Sequence, residues 1–152
     1  MVLKGNGEWC PCGDYHRLND ITMPDHYPIP HIHDFVSNLA GKTIFSKIDL
    51  VCPYHQIPVA DDDIAKTALI TLFGPHKFCR MPFGLRNAAQ TFQRFIDDVC
   101  RDLDFVFVYL DDILVASSSR DEHLQHLRAL FQRLSANGLV INITKCEFAN
   151  LK

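Results

Sequence analysis

No apolar run in this chain approaches the ~20 residues of a bilayer-spanning helix. The opening stretch, Met1 to Glu8, also lacks the apolar core of a secretory leader. Lysine and arginine never cluster, and the net charge is −3, which argues against a free-standing nucleic-acid binder with a basic face. There is no C-x-x-C pair. Cys10, Cys12, Cys52, Cys79, Cys100 and Cys146 are expected as reduced thiols, and Cys10 and Cys12 with the nearby histidines match no common zinc-ligand spacing. No internal repeat, low-complexity tract or Gly/Ser linker divides the sequence. What remains, 152 residues with 47% hydrophobic and 22% charged, suits one globular domain that buries roughly two-thirds of its unfolded surface.

Residues 1–30 are rich in loop formers, with Gly5, Gly7 and Gly13 followed by Pro24, Pro28 and Pro30. Ile32, Phe35, Val36 and Leu39 then recur at helical spacing, and Gly41 sits where a C′ cap belongs. Thr43 to Leu50 reads as a strand carrying Asp49 near its end. Tyr54 to Val59 and Lys66 to Phe73 read as extended, with Gly74-Pro75 turning the chain into a partner, His76 to Met81. From Asn87 to Leu103 the pattern is helical, with Phe92, Phe95, Ile96, Val99, Cys100 and Leu103 in one stripe. Phe105 to Leu110 and Ile113 to Ala116 flank Asp111-Asp112 as a β-hairpin. Ser119 with Glu122 makes a capping box for a further helix, whose Leu124, Leu127, Phe131 and Leu134 face inward. Asn137-Gly138 ends that helix, and Leu139 to Ile143 is expected as a last strand. The order predicts an α+β fold, an antiparallel sheet with helices over one face.

Adjacent acids between apolar strands have two readings. Asp tolerates turn dihedrals, so Asp-Asp in a hairpin turn is common. Yet two neighbouring carboxylates repel and are costly to bury unpaired, a conflict that a divalent cation resolves with oxygen ligands and substrate phosphates around it. Asp49 would complete such a set if its strand pairs beside the hairpin. Three carboxylates would then hold two ions roughly 3.5–4 Å apart, one lowering the pKa of an attacking hydroxyl and the other neutralising a leaving pyrophosphate.

The wording of the chain adds a resemblance. Tyr109-Leu110-Asp111-Asp112 resembles the Tyr-x-Asp-Asp signature of reverse transcriptases. FSKIDLVCPYHQIPV (Phe45 to Val59) is similar to the motif carrying that family's first metal-binding Asp, and RMPFGLRNAAQTFQRFID (Arg80 to Asp97) to the motif after it. GEWCPCGDYHRLN (Gly7 to Asn19) resembles a fingers motif, and GLVINITKCEF (Gly138 to Phe148) the motif after the catalytic hairpin. All five occur in order, and MPFGL with KCEF points to gypsy-type LTR retrotransposons. The resemblance implies a reverse-transcriptase-like α+β fold, with fingers at 1–23 and 57–82 and palm at 24–56 and 83–152; thumb, connection and ribonuclease H segments are not expected. It implies an RNA-directed DNA polymerase domain, part of a Pol polyprotein, that works on an RNA or DNA template with primer and on deoxynucleoside triphosphates. A palm with an acidic metal centre also accommodates the negative net charge. The implied setting is cytoplasmic, in a retroelement particle, with no membrane contact.

Residue by residue, the resemblance implies that Asp49, Asp111 and Asp112 bind two Mg2+ or Mn2+ ions. Tyr54 takes the gate position, where an aromatic ring crowds a 2′-hydroxyl. Phe83 and Gly84 border the incoming nucleotide, Arg86 meets phosphate or template, and Lys145 helps protonate the leaving pyrophosphate. Taken alone, Tyr54 reads as a half-buried strand aromatic, Arg86 as a solvated helix-start residue and Lys145 as a surface lysine.

The departures from the family pattern support an alternative. Cys10 stands where the family usually has the Arg that grips the triphosphate, and His16 replaces another usual Arg. Cys52 replaces Arg or another polar residue, Pro53 a small one, and His76 and Lys77 an aromatic and a Glu. Arg to Cys and Arg to His are single transitions of CGN codons, the mark of a decaying resident element. Losing one preorganised electrostatic partner costs roughly 10²–10³ in rate. The alternative is a catalytically decayed remnant that keeps the palm fold as a binding module.

Overall fold

In the computed structural model, which describes residues 2–3, 9–10, 13–30, 33, 35 and 37–151, the chain opens with a short antiparallel backbone pair, β1 (Val2–Leu3) and β2 (Trp9–Cys10), and helix α1 (His16–Ile21). Of the stripe expected at 32–39, Ile32 and Val36 lie outside the described residues. Phe35 is helical and packs edge-on to Phe107, and Ser37–Leu39 forms a 3-10 turn that ends at Gly41 with φ +79.

The central strand is β3 (Ile44–Asp49). Its alternation sends Ile44, Ser46 and Ile48 inward and Phe45, Lys47 and Asp49 to the other face. Three more strands build the main sheet around it: β6 (Val106–Tyr109), β7 (Asp112–Ser117) and β8 (Glu147–Leu151). Their order is β6-β7-β3-β8, all antiparallel. Helix α3 (Ala88–Val99), which follows a one-turn helix α2 (Asp61–Ile64), and helix α4 (Arg120–Ala136) cover one face. Phe92, Ile96 and Val99 of α3 and Leu127, Leu130 and Leu134 of α4 close on Ile48, Val108, Ile113 and Val115. Each such side chain contributes about 1.5–3 kcal/mol by leaving water.

Local signals account for the helix ends. Ser119 Oγ accepts from Glu122 N at 3.3 Å, while the Glu122 carboxylate reaches back to Ser118 N at 2.7 Å, one residue beyond the expected box partner. At the other end Leu139 N donates to Leu134 O and Gly138 N to Ser135 O, with Gly138 at φ +72, a Schellman closure. Helix α3 stops at Val99 rather than Leu103, because Asp102 turns the chain at φ +68.

Four expectations are corrected. Tyr54–Val59 is not one extended run. Pro53 opens a 3-10 turn, Pro53–Gln56, after Cys52 at φ +43, and the chain extends only from Ile57, where it meets Cys79 and Met81. The hairpin of β4 (Leu69–Thr71) and β5 (Gly74–His76) turns at Leu72-Phe73, not Gly74-Pro75, because Thr71 Oγ1 accepts from Phe73 N and donates to Gly74 O. Leu139 to Ile143 makes one bridge, Ile141 to Leu50, and the strand beside β3 is β8 instead. Val51 N donates to Val140 O and Asn142 N to Asp49 O, and the Gln56 amide joins them, donating to Val51 O and Val140 O and accepting from Val140 N. Leu124, expected inward, is 49% exposed, and His123 takes the buried position beside it. Among the described residues no helix is long and apolar enough to cross a membrane.

Candidate active site

Antiparallel pairing of β3 with β7 sets Asp49 opposite Asp112. Residues directly opposite share a sheet face, with Cβ atoms ~4.5–5.5 Å apart. Their neighbours Ile48 and Ile113 are fully buried under the helices, so both carboxylates stand on the uncovered face. Asp111 lies in the two-residue loop between Tyr109 and Asp112, whose other member, Leu110, adopts φ +51. Such loops usually place Gly or Asn at positive φ; a leucine here marks backbone held by its surroundings.

Asp111 is partly buried, and its Oδ1 has no hydrogen-bond partner among the described residues. Burial pushes its pKa above the ordinary value, the charges of Asp112 and Asp49 push the same way, and a hydrogen bond from Tyr54 opposes them. Tyr54 packs edge-on between Phe83 (centroids 5.4 Å) and Phe92 (5.6 Å), and burial raises its own pKa first, Asp111 second.

Two neighbours were not singled out from the sequence. Lys47, two residues before Asp49 on the same face, places Nζ 3.0 Å from Asp112 Oδ1. Strand periodicity alone could have found it. Cys146, within the KCEF segment, accepts from Asp49 N at 3.4 Å and sits 3.8 Å from Asp49 O, so its thiol braces the backbone of that acid.

The remaining expected residues are dispersed around this centre. Gly84 has φ +94, and a Cβ there would stand 3.4 Å from Gly13 O; its carbonyl accepts from Asn19 Nδ2. Arg86 is exposed and donates to Asn19 O and Thr22 O at the end of α1. Lys145 is exposed on the 3-10 turn Ile143–Lys145 and makes no ion pair among the described residues. Cys10 is described by its backbone pairing to Val2, and Cys12 lies outside the described residues. No three His, Cys, Asp or Glu side chains among the described residues form a ready-made metal cluster, and Asp112 Oδ1 is engaged by Lys47.

The profile of the family described as reverse transcriptase (RNA-dependent DNA polymerase) matches residues 2–152. The chain is 43% identical over 137 residues to the retrovirus-related Pol polyprotein from transposon 297 of Drosophila melanogaster, covering 89% of this chain and 13% of that polyprotein. Against the corresponding polyprotein from transposon gypsy of the same organism it is 37% identical, again over 89% of this chain and 13% of the relative. A foamy viral protease-reverse transcriptase solved in complex with double-stranded DNA superposes with TM-score 0.91 at 25% identity, over 99% of this chain and 26% of that one. The chain belongs to the reverse transcriptase family. Its sequence is similar to the Pol polyproteins of gypsy-type transposons, of which it spans roughly one-eighth of the length.

Proposed function

We propose that the chain forms the fingers (1–23 and 57–82) and palm (24–56 and 83–152) of an RNA-directed DNA polymerase within a longer Pol polyprotein, extending a primer 3′ end on an RNA or DNA template. The observation that carries this is the register placing Asp49 opposite Asp112, with Asp111 in the adjoining turn. The buried Oδ1 of Asp111, without a hydrogen-bond partner among the described residues, fits a hard cation. Asp49, Asp111 and Asp112 are therefore the residues that would hold Mg2+ or Mn2+. Bound there, two such ions would activate the attacking hydroxyl and neutralise charge on the phosphates.

The chain's own residues do the rest. Tyr54, braced by Phe83 and Phe92, presents a rigid ring that excludes a ribose 2′-hydroxyl and so selects deoxynucleotides. Gly84, without a Cβ, lets backbone approach the nucleotide. Arg86, anchored to the end of α1, offers the remainder of its guanidinium to phosphate. Lys145 follows Asn142, whose N–H bonds to Asp49 O, and is the candidate proton donor to the leaving pyrophosphate. The foamy viral relative bound to double-stranded DNA supports a primer–template role, in the setting of a retroelement particle.

Primer extension on an RNA template by the purified chain tests the reading. With few phosphates neutralised, extension should be distributive and favoured by low salt, should need Mg2+ or Mn2+, and should vanish with Asp111→Asn. A folded chain without activity in manganese would favour the second reading, a decayed remnant. One observation favours that reading: His16, where the family usually has Arg, has its ring Nδ1 2.5 Å from Asp14 Oδ1, so that nitrogen is engaged within the chain. If Cys10→Arg restores nucleotide affinity, loss of that guanidinium explains the deficit.

A further inference from the structure

Gln93 is absent from the residues assigned above, yet it is the fully buried polar side chain of α3 (0% exposed). Its Nε2 donates to Asp97 Oδ1 at 2.9 Å and to the Val108 carbonyl at 3.3 Å, and its Oε1 accepts from Leu110 N at 2.9 Å. The two backbone partners bracket Tyr109 and lie on the hairpin that presents Asp111 and Asp112. The amide orientation follows from those partners: reversing it would set oxygen against the Asp97 carboxylate and the Val108 carbonyl. The other Asp97 oxygen accepts from the Tyr27 hydroxyl at 2.8 Å. Arg94 lies over the Tyr27 ring at 4.8 Å and pairs with Asp25. A continuous chain of contacts therefore runs from the segment before β3, through α3, to the hairpin turn.

Leu110 needs such a partner. A left-handed conformation strains a non-glycine residue, and an unpaired buried N–H adds a further cost. Gln93 supplies the acceptor from the core side, where water is excluded. The next residue is Asp111, so a rotation at Leu110 re-aims that carboxylate.

The geometry points to Gln93 as a positioning residue. It fixes the left-handed backbone of Leu110 and thereby the direction of Asp111, and Asp97 with Tyr27 fixes the amide. The inference rests on the metal-binding reading of Asp111. Its backbone half is measurable without metal.

The test uses the full chain and the variants Gln93→Met, which keeps bulk and loses all three hydrogen bonds, and Tyr27→Phe, which removes one hydroxyl. Hydrogen exchange of the Leu110 amide is read by NMR, and Mn2+ affinity by calorimetric titration of Mn2+ alone. In Gln93→Met, Leu110 should lose protection while the α3 amides keep theirs. Mn2+ affinity should fall roughly tenfold, the lower end of what removal of a supporting partner costs a metal site. Tyr27→Phe should shift both readouts the same way by less. Unchanged Leu110 exchange and unchanged Mn2+ affinity in folded Gln93→Met overturn the proposal. If Gln93→Met does not fold, Tyr27→Phe decides: a shift in Leu110 exchange supports the coupling, and none overturns it. If the unsubstituted chain binds no Mn2+, the metal reading fails, and the Leu110 exchange result still decides whether Gln93 holds the turn.

Discussion

Lys47 closes an ion pair on Asp112, Nζ to Oδ1 at 3.0 Å, directly beside Asp49 on the uncovered face of the sheet. Both side chains are about half exposed, so the pair itself contributes only about 0–1 kcal/mol. Lys47→Met should leave the melting temperature nearly unchanged and tighten Mn2+ binding several-fold, since a competing positive charge is gone. Calorimetric titration reads both chains, and weaker binding in the variant would show that Lys47 assists the site instead.

Asp111 makes the metal-free chain pH-sensitive in a definite direction. Its folded pKa is raised above 3.8, by burial first and by Asp112 and Asp49 next. The folded state therefore holds this proton more tightly than the unfolded state. The associated stability is present at low pH and lost as pH climbs from the ordinary value through the raised one. Asp111→Asn should stabilise the metal-free chain at neutral pH, with the difference shrinking toward zero below the ordinary value. Denaturant unfolding across a pH series measures this, and an Asn variant less stable at neutral pH contradicts it.

His123 should act in the opposite sense. It is buried, with Nε2 2.7 Å from Ser46 Oγ and Nδ1 2.8 Å from Ser117 Oγ. Burial and the charge of His126 lower its pKa below 6.5, against the pull of Glu122. Its contribution is then present above 6.5 and is lost as pH falls through the depressed folded value. One such proton gives a slope of at most about 1.4 kcal/mol per pH unit. His123→Gln should flatten the acid limb of the stability profile by up to that slope, less whatever His126 adds. An unaltered limb would place acid sensitivity elsewhere.

Two leucines of α4 separate packing from periodicity. Leu130 is fully buried, so Leu130→Ala should cost about 2–5 kcal/mol. Leu124, on the same helix, is 49% exposed, and Leu124→Ala should change stability by less than about 0.5 kcal/mol. Urea midpoints of the two variants give the comparison directly.

These contrasts show which parts of the chain are legible in sequence. Helix α4 carries its own start and stop, Ser119 with Glu122 and Asn137-Gly138, and the Asp111-Asp112 hairpin is marked by the apolar strands on both sides. Both are local signals, and both elements form where they were expected. The last strand is not local. Leu139–Ile143 meets the chain only at the end of β3 and beyond it, while Glu147–Leu151 pairs along β3, and the Gln56 amide that bonds Val140 lies more than eighty residues away in sequence. The same holds at the candidate site. A motif can name Asp49, Asp111 and Asp112, but the burial that shifts Asp111, the thiol of Cys146 against Asp49 and the grip of Gln93 on Leu110 come from tertiary packing.

The pairing of Asp49 with Asp112 has a consequence for how this chain tolerates change in length. Side chains alternate along β7 with a period of two, so one residue inserted between Asp112 and Ile113 could not keep both Asp112 opposite Asp49 and Ile113 in the core. Substitutions at the rim leave that alternation intact. In related copies of such a sequence, a one-codon insertion at that point of β7 would therefore record loss of function more sharply than point differences at the rim do.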